Sequence, residues 1–135
     1  MLNEMFASST IPVLEQWVNF AQSRHNILAT NVANIDVPGY KTRDLSVEQF
    51  QDKLQDAIET KADDGSLSPT GSRIGVDPFG KVKRELNGIL YHDQSNVGLE
   101  QQVAEITKNH LQHNLALSLL NSQFRVLQSA VSERA

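Results

Sequence analysis

The chain has 135 residues, 39% hydrophobic and 6% aromatic, with a formal net charge of −4 and no cysteine. That length suits a single domain over residues 1–135, and the acidic balance, with no basic run or aromatic-basic patch, gives no footprint for nucleic acid. Disulfides and thiolate metal ligands are excluded, a composition compatible with life outside the cytoplasm, and no stretch approaches the roughly 20 apolar residues of a membrane span. Met1–Thr10 lacks the basic start and apolar core of a secretory signal, so export of such a chain needs another route.

In chain order, Thr10 is placed to cap a helix and Pro12 falls in its first turn, where proline is tolerated. The spacing predicts a terminal helix over about 10–35, regular to about Ala33. Leu14, Val18, Ala21, His25, Leu28, Val32 and Ile35 alternate four and three along it, and a second row, Val13, Trp17, Phe20, Arg24, Ile27 and Asn31, lies beside the first. Two adjoining rows suit a helix touched by more than one neighbour. Asn34 can take a left-handed cap, Val37 before Pro38 is pushed out of the helical region, and Pro38-Gly39 suits the centre of a type II turn.

In the connecting region, 36–96, Ser46 and Gln49 have capping-box spacing. Val47, Phe50, Leu54 and Ile58 mark a short amphipathic helix over about Val47–Glu59. Breakers crowd Lys61–Gly80. Asn87-Gly88 signals a hairpin, with Val82, Arg84 and Leu86 facing Ile89, Tyr91 and Asp93. Asp93–Gly98 is a polar bridge.

The last helix is expected over about 97–132. Leu99, Val103, Ile106, His110, His113, Leu117, Leu120, Phe124, Leu127 and Val131 form an unbroken heptad seam without proline or glycine. Eight of these ten positions are apolar. At roughly 1.5–3 kcal/mol each they supply at most about 12–24 kcal/mol. Ordering the stretch costs about 1–2 kcal/mol per residue in backbone entropy before hydrogen bonds return part of it. Such a helix needs a partner. The expected fold class is all-α: long terminal helices paired as a coiled-coil-like hairpin, a short helix, and an irregular middle holding a β-hairpin. Periodicity leaves open whether the terminal helices satisfy one another within the chain or also pack against other copies.

Catalytic chemistry finds little support. No glycine-rich phosphate loop, nucleophile elbow or metalloprotease helix is present, and Asp63 with Asp64 sits in a breaker-rich loop that suits a solvated surface. His25, His110 and His113 fall on seam positions, where zinc ligation competes with the simpler role of polar residues that fix register; His92 has no evident partner. The residues name no cofactor, metal or small-molecule substrate. A secreted coiled-coil chaperone or effector would carry similar heptads.

The run from Asn26 to Asp44 narrows these choices. Ala29, Asn31, Ala33, Asn34, Pro38, Gly39, Tyr40 and Lys41 match the form A-x-N-x-A-N-x-x-T-P-G-Y-K, with Val37 in place of threonine. This resembles the amino-terminal signature of the bacterial flagellar rod, hook and hook-filament axial proteins, over roughly residues 10–60 and 93–133. The size, and the absence of a long middle domain, resemble the proximal rod subunits. Asn96-Val97-Gly98-Leu99-Glu100 is similar to the N-x-V-D-L-E opening of the last helix in one proximal type, with Gly98 replacing aspartate and His113 replacing a usual tyrosine. The FlgC type is the close alternative.

The resemblance implies a structural subunit that assembles helically, crosses the periplasm and transmits motor torque. The implied partners are other copies, neighbouring rod proteins of FlgC and FlgF type, the adaptor FliE with the membrane ring, and the flagellar type III export apparatus, with no cleaved signal peptide. Within that scheme Leu14, Val18, Ala21, Leu28 and Val32, with Trp17 beside them, are expected to meet Val103, Ile106, Leu117, Leu120, Phe124 and Leu127, with Leu99 opening the seam. Asn31 and Asn34 would bridge backbone groups at the corner, Pro38-Gly39 would set its angle, and Tyr40 would pack over it.

Overall fold

The computed structural model describes residues 10–63, 90–91 and 98–132. Helix α1 runs Ile11–Ala33 with Thr10 at its N-cap and proline in the first turn. Thr10 makes no side-chain cap. Its backbone is already helical (φ −77°, ψ −3°), away from the extended geometry typical of a capping residue. Asn34 is not left-handed either: at φ −113° and ψ 11° it continues the chain into turns. Its Nδ2 donates to the Thr30 carbonyl at 2.8 Å, and its own carbonyl accepts from Val37 N–H at 3.0 Å. The next turn follows the sequence. Gly39 has φ +77°, and Tyr40 N–H donates to the Val37 carbonyl at 3.1 Å. That is the type II pattern, which requires positive φ at its third residue.

Strand β1, Asp44–Leu45, pairs antiparallel with β2, Leu90–Tyr91, in the register Asp44 to Tyr91 and Leu45 to Leu90. Apart from Tyr91, whose described partner is Asp44, and Leu90 beside it, the expected hairpin around Asn87-Gly88 lies outside the described residues. The expected Asp93–Gly98 bridge lies outside them too, except Gly98. Helix α2 spans Val47–Asp63, a turn longer than expected, because Lys61 and Ala62 favour helix and the first breaker pair is Asp64-Gly65. Ser46 Oγ accepts from Gln49 N–H at 3.2 Å, which starts α2 with a side-chain cap.

The apolar core forms where α2 meets the second row of α1. Phe20, Leu45, Phe50, Leu54 and Ala57 are buried together, with Val13, Trp17, Ile27 and Val47 packed around them. The Phe20 and Phe50 rings stack with centroids 4.0 Å apart, and Trp17 meets Phe50 edge-on at 5.5 Å. Ile58, expected on the buried face, is exposed, and Ala57 occupies the inside.

Helix α3 runs Leu99–Ser132 as one piece and packs along α1. Asn31 meets Gln102, Arg24 meets Glu105 and Asn109 meets Ala21. Partner numbers rise as α1 numbers fall, so the helices are antiparallel. The fold is thus all-α, two long helices paired with a short helix beside the first and a minimal two-stranded bridge.

Candidate assembly surface and the polar seam behind it

The seam between α1 and α3 is not the one that hydrophobicity ranks first. On α3 the buried residues are Gln102, Asn109 and Ala116, seven apart. Glu105, Ile106, Gln112, His113, Leu120, Gln123, Leu127 and Ala130 are half-buried around this row. Leu99, Val103, Leu117, Phe124 and Val131 are exposed. Val103, Leu117 and Phe124, expected against α1, are thus more exposed than the Gln102 row beside them, while Ile106, Leu120 and Leu127 are partly buried. Relative to the expected seam, α3 is rolled by roughly half to three-quarters of the 100° between successive helical residues.

Buried polar groups supply the physical reason. Arg24 has 4% of its side chain exposed; its Nε and Nη2 donate to the two oxygens of Asp44 at 2.8 and 2.7 Å. Nη2 also donates to Glu105 Oε2 at 2.7 Å. A planar guanidinium suits this two-sided grip, which ties α1 to both β1 and α3. Burial alone would lower the Arg24 pKa, but the hydrogen bonds and charges of Asp44 and Glu105 more than offset it and hold the value above the ordinary one.

Asn31, fully buried, uses both ends of its amide. Nδ2 donates to the Arg43 carbonyl and to Gln102 Oε1 (3.2 Å); Oδ1 accepts from Arg43 N–H and Tyr40 Oη–H, each at 3.1 Å. One side chain thus pins the chain after the turn to α1 and to α3. Asn109 Nδ2 donates to the Ala21 carbonyl at 2.8 Å. Gln16 is buried on α1, its Oε1 without a hydrogen-bond partner among the described residues. Leaving Arg24, Asn31 or Asn109 unpaired in the interior costs on the order of 1–3 kcal/mol.

Of the other residues singled out by sequence, Ala21 and Leu28 are buried. Leu14, Trp17, Val18, Val32, Asn34 and Tyr40 are half-buried, and Pro38 and Gly39 are exposed. The chain-organising roles of Arg24, Asp44, Gln102, Glu105 and Asn109 escaped the heptad reading. Their signal was the heptad row Gln102, Asn109 and Ala116 in the last helix and the polar pair Arg24 and Asn31, themselves seven apart, in the first. The histidines do not gather: the register sets His25 near Glu105 and the exposed His110 near Ala21, more than a turn apart. Among the described residues no three histidines or carboxylates are placed to hold a metal ion.

A second apolar strip lies on the opposite flank of α3: Leu111, Leu115, Leu119 and Val126, exposed by 71%, 60%, 48% and 61%. Helical geometry puts Leu115, Leu119 and Val126 on the other side of the buried row from Val103, Leu117 and Phe124, with Leu111 near the back. The polar residues Glu100, Thr107, Asn114, Ser118 and Arg125 occupy the back.

Comparison with known proteins bears on this arrangement. The family described as flagella basal body rod protein matches residues 19–41, which include Phe20, Arg24, Asn31 and the Pro38-Gly39 turn. The chain is similar to the flagellar basal body rod protein FlgB of Bacillus subtilis (strain 168), 25% identical over 128 residues, covering 93% of this chain and 95% of that one. The protein of the same name from Aquifex aeolicus (strain VF5) is 28% identical over 129 residues, 93% of this chain and 94% of the relative. That of Salmonella typhimurium is 23% identical over 124 residues, 87% and 88% of the two chains.

Proposed function

We propose, from the premise that the chain belongs to the flagellar basal body rod family and is one of its structural subunits, that it builds the proximal rod through the two apolar flanks of α3. The observation that carries this reading is the exposure of nine leucine, valine and phenylalanine side chains along α3: Leu99, Val103, Leu111, Leu115, Leu117, Leu119, Phe124, Val126 and Val131. A helix apolar on more than one side belongs inside a larger structure. Two separate flanks allow each subunit to present one strip to one neighbour and the other strip to the next. Such head-to-tail contacts, where the rotation does not close, generate an open helical array.

The neighbours in this reading are further copies and rod proteins of FlgC and FlgF type, with the adaptor FliE and the membrane ring at the proximal end. The array crosses the periplasm and carries motor torque. The chain reaches it through the flagellar type III apparatus. A polar, thinly apolar seam between α1 and α3 suits a chain that travels unfolded and completes its packing on docking. Its work is construction rather than catalysis.

Replacing Leu115 and Val126 together by serine tests the proposal. Surface changes away from special contacts alter stability by within about 0.5 kcal/mol each, so the thermal midpoint of the purified chain should stay nearly constant. Swimming should be lost, and isolated basal bodies should lack a completed rod in negative stain. Intact rods and normal swimming would overturn the assignment of this flank.

A further inference from the structure

We propose that the buried polar contacts between α1 and α3 act as a roll stop: they keep α3 from turning its most apolar row onto α1, and so hold that row available for assembly. Two rows compete for the inward position. The row that is inward reads Gln102, Asn109, Ala116, Gln123 and Ala130; the row beside it reads Val103, His110, Leu117, Phe124 and Val131. Opposite α1, which begins at Ile11, burial of apolar surface alone favours the second, because it puts Val103 and Leu117 where the first puts Gln102 and Ala116. The structure takes the first.

Three contacts decide it, spread over two turns of α3: Gln102 accepts from Asn31, Glu105 accepts from Arg24, and Asn109 donates to the Ala21 carbonyl. Rolling α3 toward Val103 and Leu117 would withdraw all three at once. Asn31 and Arg24 would stay buried with part of their hydrogen bonding lost, since both are also anchored to the segment Arg43–Asp44. A polar residue in a helical seam that fixes register at a cost in stability is a general device; here it fixes rotation about the helix axis. The consequence for assembly rests on the reading of α3 given above, whereas the roll is a property of the single chain.

The chain has no cysteine, so single introduced thiols report the roll. Ala116→Cys and Leu117→Cys are made separately in the full chain, and their alkylation by iodoacetamide is timed in dilute solution. The 117 thiol should react about tenfold faster than the 116 thiol, following exposure. Adding Gln102→Ala with Asn109→Ala, which removes both anchors without making the inward row more apolar than its neighbour, should bring the ratio to about one or invert it, as the apolar row turns inward. An unchanged ratio in a folded chain overturns the roll stop. Should the double substitution abolish the helical circular dichroism, Asn109→Ala alone, which removes one of the three anchors, should still narrow the ratio by about threefold; no change there also overturns it. Swimming is the separate arm. A narrowed ratio with normal swimming rejects the link between roll and assembly, whereas loss of swimming in the Leu115 and Val126 variant alone leaves the assembly reading standing whatever the thiols show.

Discussion

Helix α1 is held from two sides by opposite kinds of chemistry. Toward α2 and β1 it presents Phe20, with Val13, Trp17 and Ile27 around it, and buries them against Phe50, Leu54 and Leu45. Toward α3 it presents Arg24, Asn31 and the Ala21 carbonyl, and the partners are a carboxylate and two amides. The first face is non-directional and yields stability in proportion to the area removed from water. The second yields little area, yet each hydrogen bond has one correct geometry, so it defines where α3 lies and how it is turned. The difference teaches that stability and placement are assigned to separate faces of one helix.

The comparison breaks if the aromatic face proves dispensable. Phe50 is fully buried, stacked on Phe20 and touched edge-on by Trp17. Phe50→Ala should cost about 3–5 kcal/mol, the usual loss for a deleted core ring, read from urea unfolding of the purified chain. A cost below about 1 kcal/mol, the size of an ordinary surface change, would mean that the α1–α2 contact is not the stabilising one.

Much of this division was legible beforehand, and its limits are physical. The ends of α3, the Pro38-Gly39 turn and the Ser46 cap rest on local chemistry, and each emerged where the residues put it. The second row of α1 was visible as a second contact face; α2 takes its Val13, Trp17, Phe20 and Ile27, while Arg24 and Asn31 of the same row turn to α3. The roll of α3 was not legible from apolar periodicity, which ranks Val103, Leu117 and Phe124 above Gln102, Asn109 and Ala116. The contacts that reverse that ranking join residues 71 to 88 positions apart, Asn31 to Gln102, Arg24 to Glu105 and Ala21 to Asn109. Thr10 and Asn34 show the same lesson on a smaller scale: a residue type suited to a cap adopts it only when the backbone there takes the capping conformation.

The polar face can be sharpened at Arg24. Arg24→Met keeps much of the stem's volume and removes the charge, leaving Asp44 and Glu105 without their shared partner. Removing one member of a buried pair costs about 3–5 kcal/mol, but the two carboxylates here are about one-third exposed and keep access to water. A loss of about 2 kcal/mol is therefore expected, smaller than that of Phe50→Ala. Arg24→Lys should recover only part of it, because an ammonium cannot make the two parallel bonds to Asp44. Full recovery by lysine would show that charge alone, and not the fork of hydrogen bonds, positions the segment around Asp44.

The smallest stability effect, with a large expected consequence, belongs to the corner that feeds both faces. Gly39 has φ +77°, and a Cβ built there meets nothing within 4 Å. Gly39→Val is therefore not a clash with neighbours; its cost is the left-handed backbone itself, about 1–2 kcal/mol for a residue with a side chain. The chain can relieve that strain by leaving the type II geometry. Relief would move Tyr40 and Arg43, whose hydroxyl and N–H both bind Asn31 Oδ1, and through Asn31 the contact with Gln102 on α3. A change at an exposed turn thus propagates to the placement of the long helix rather than to the aromatic core. The expected outcome is a chain that unfolds only slightly more easily in urea and is still exported, in cells whose rods do not complete and which do not swim. Normal swimming in that strain would show that the corner only connects helices, and that α3 is positioned without it.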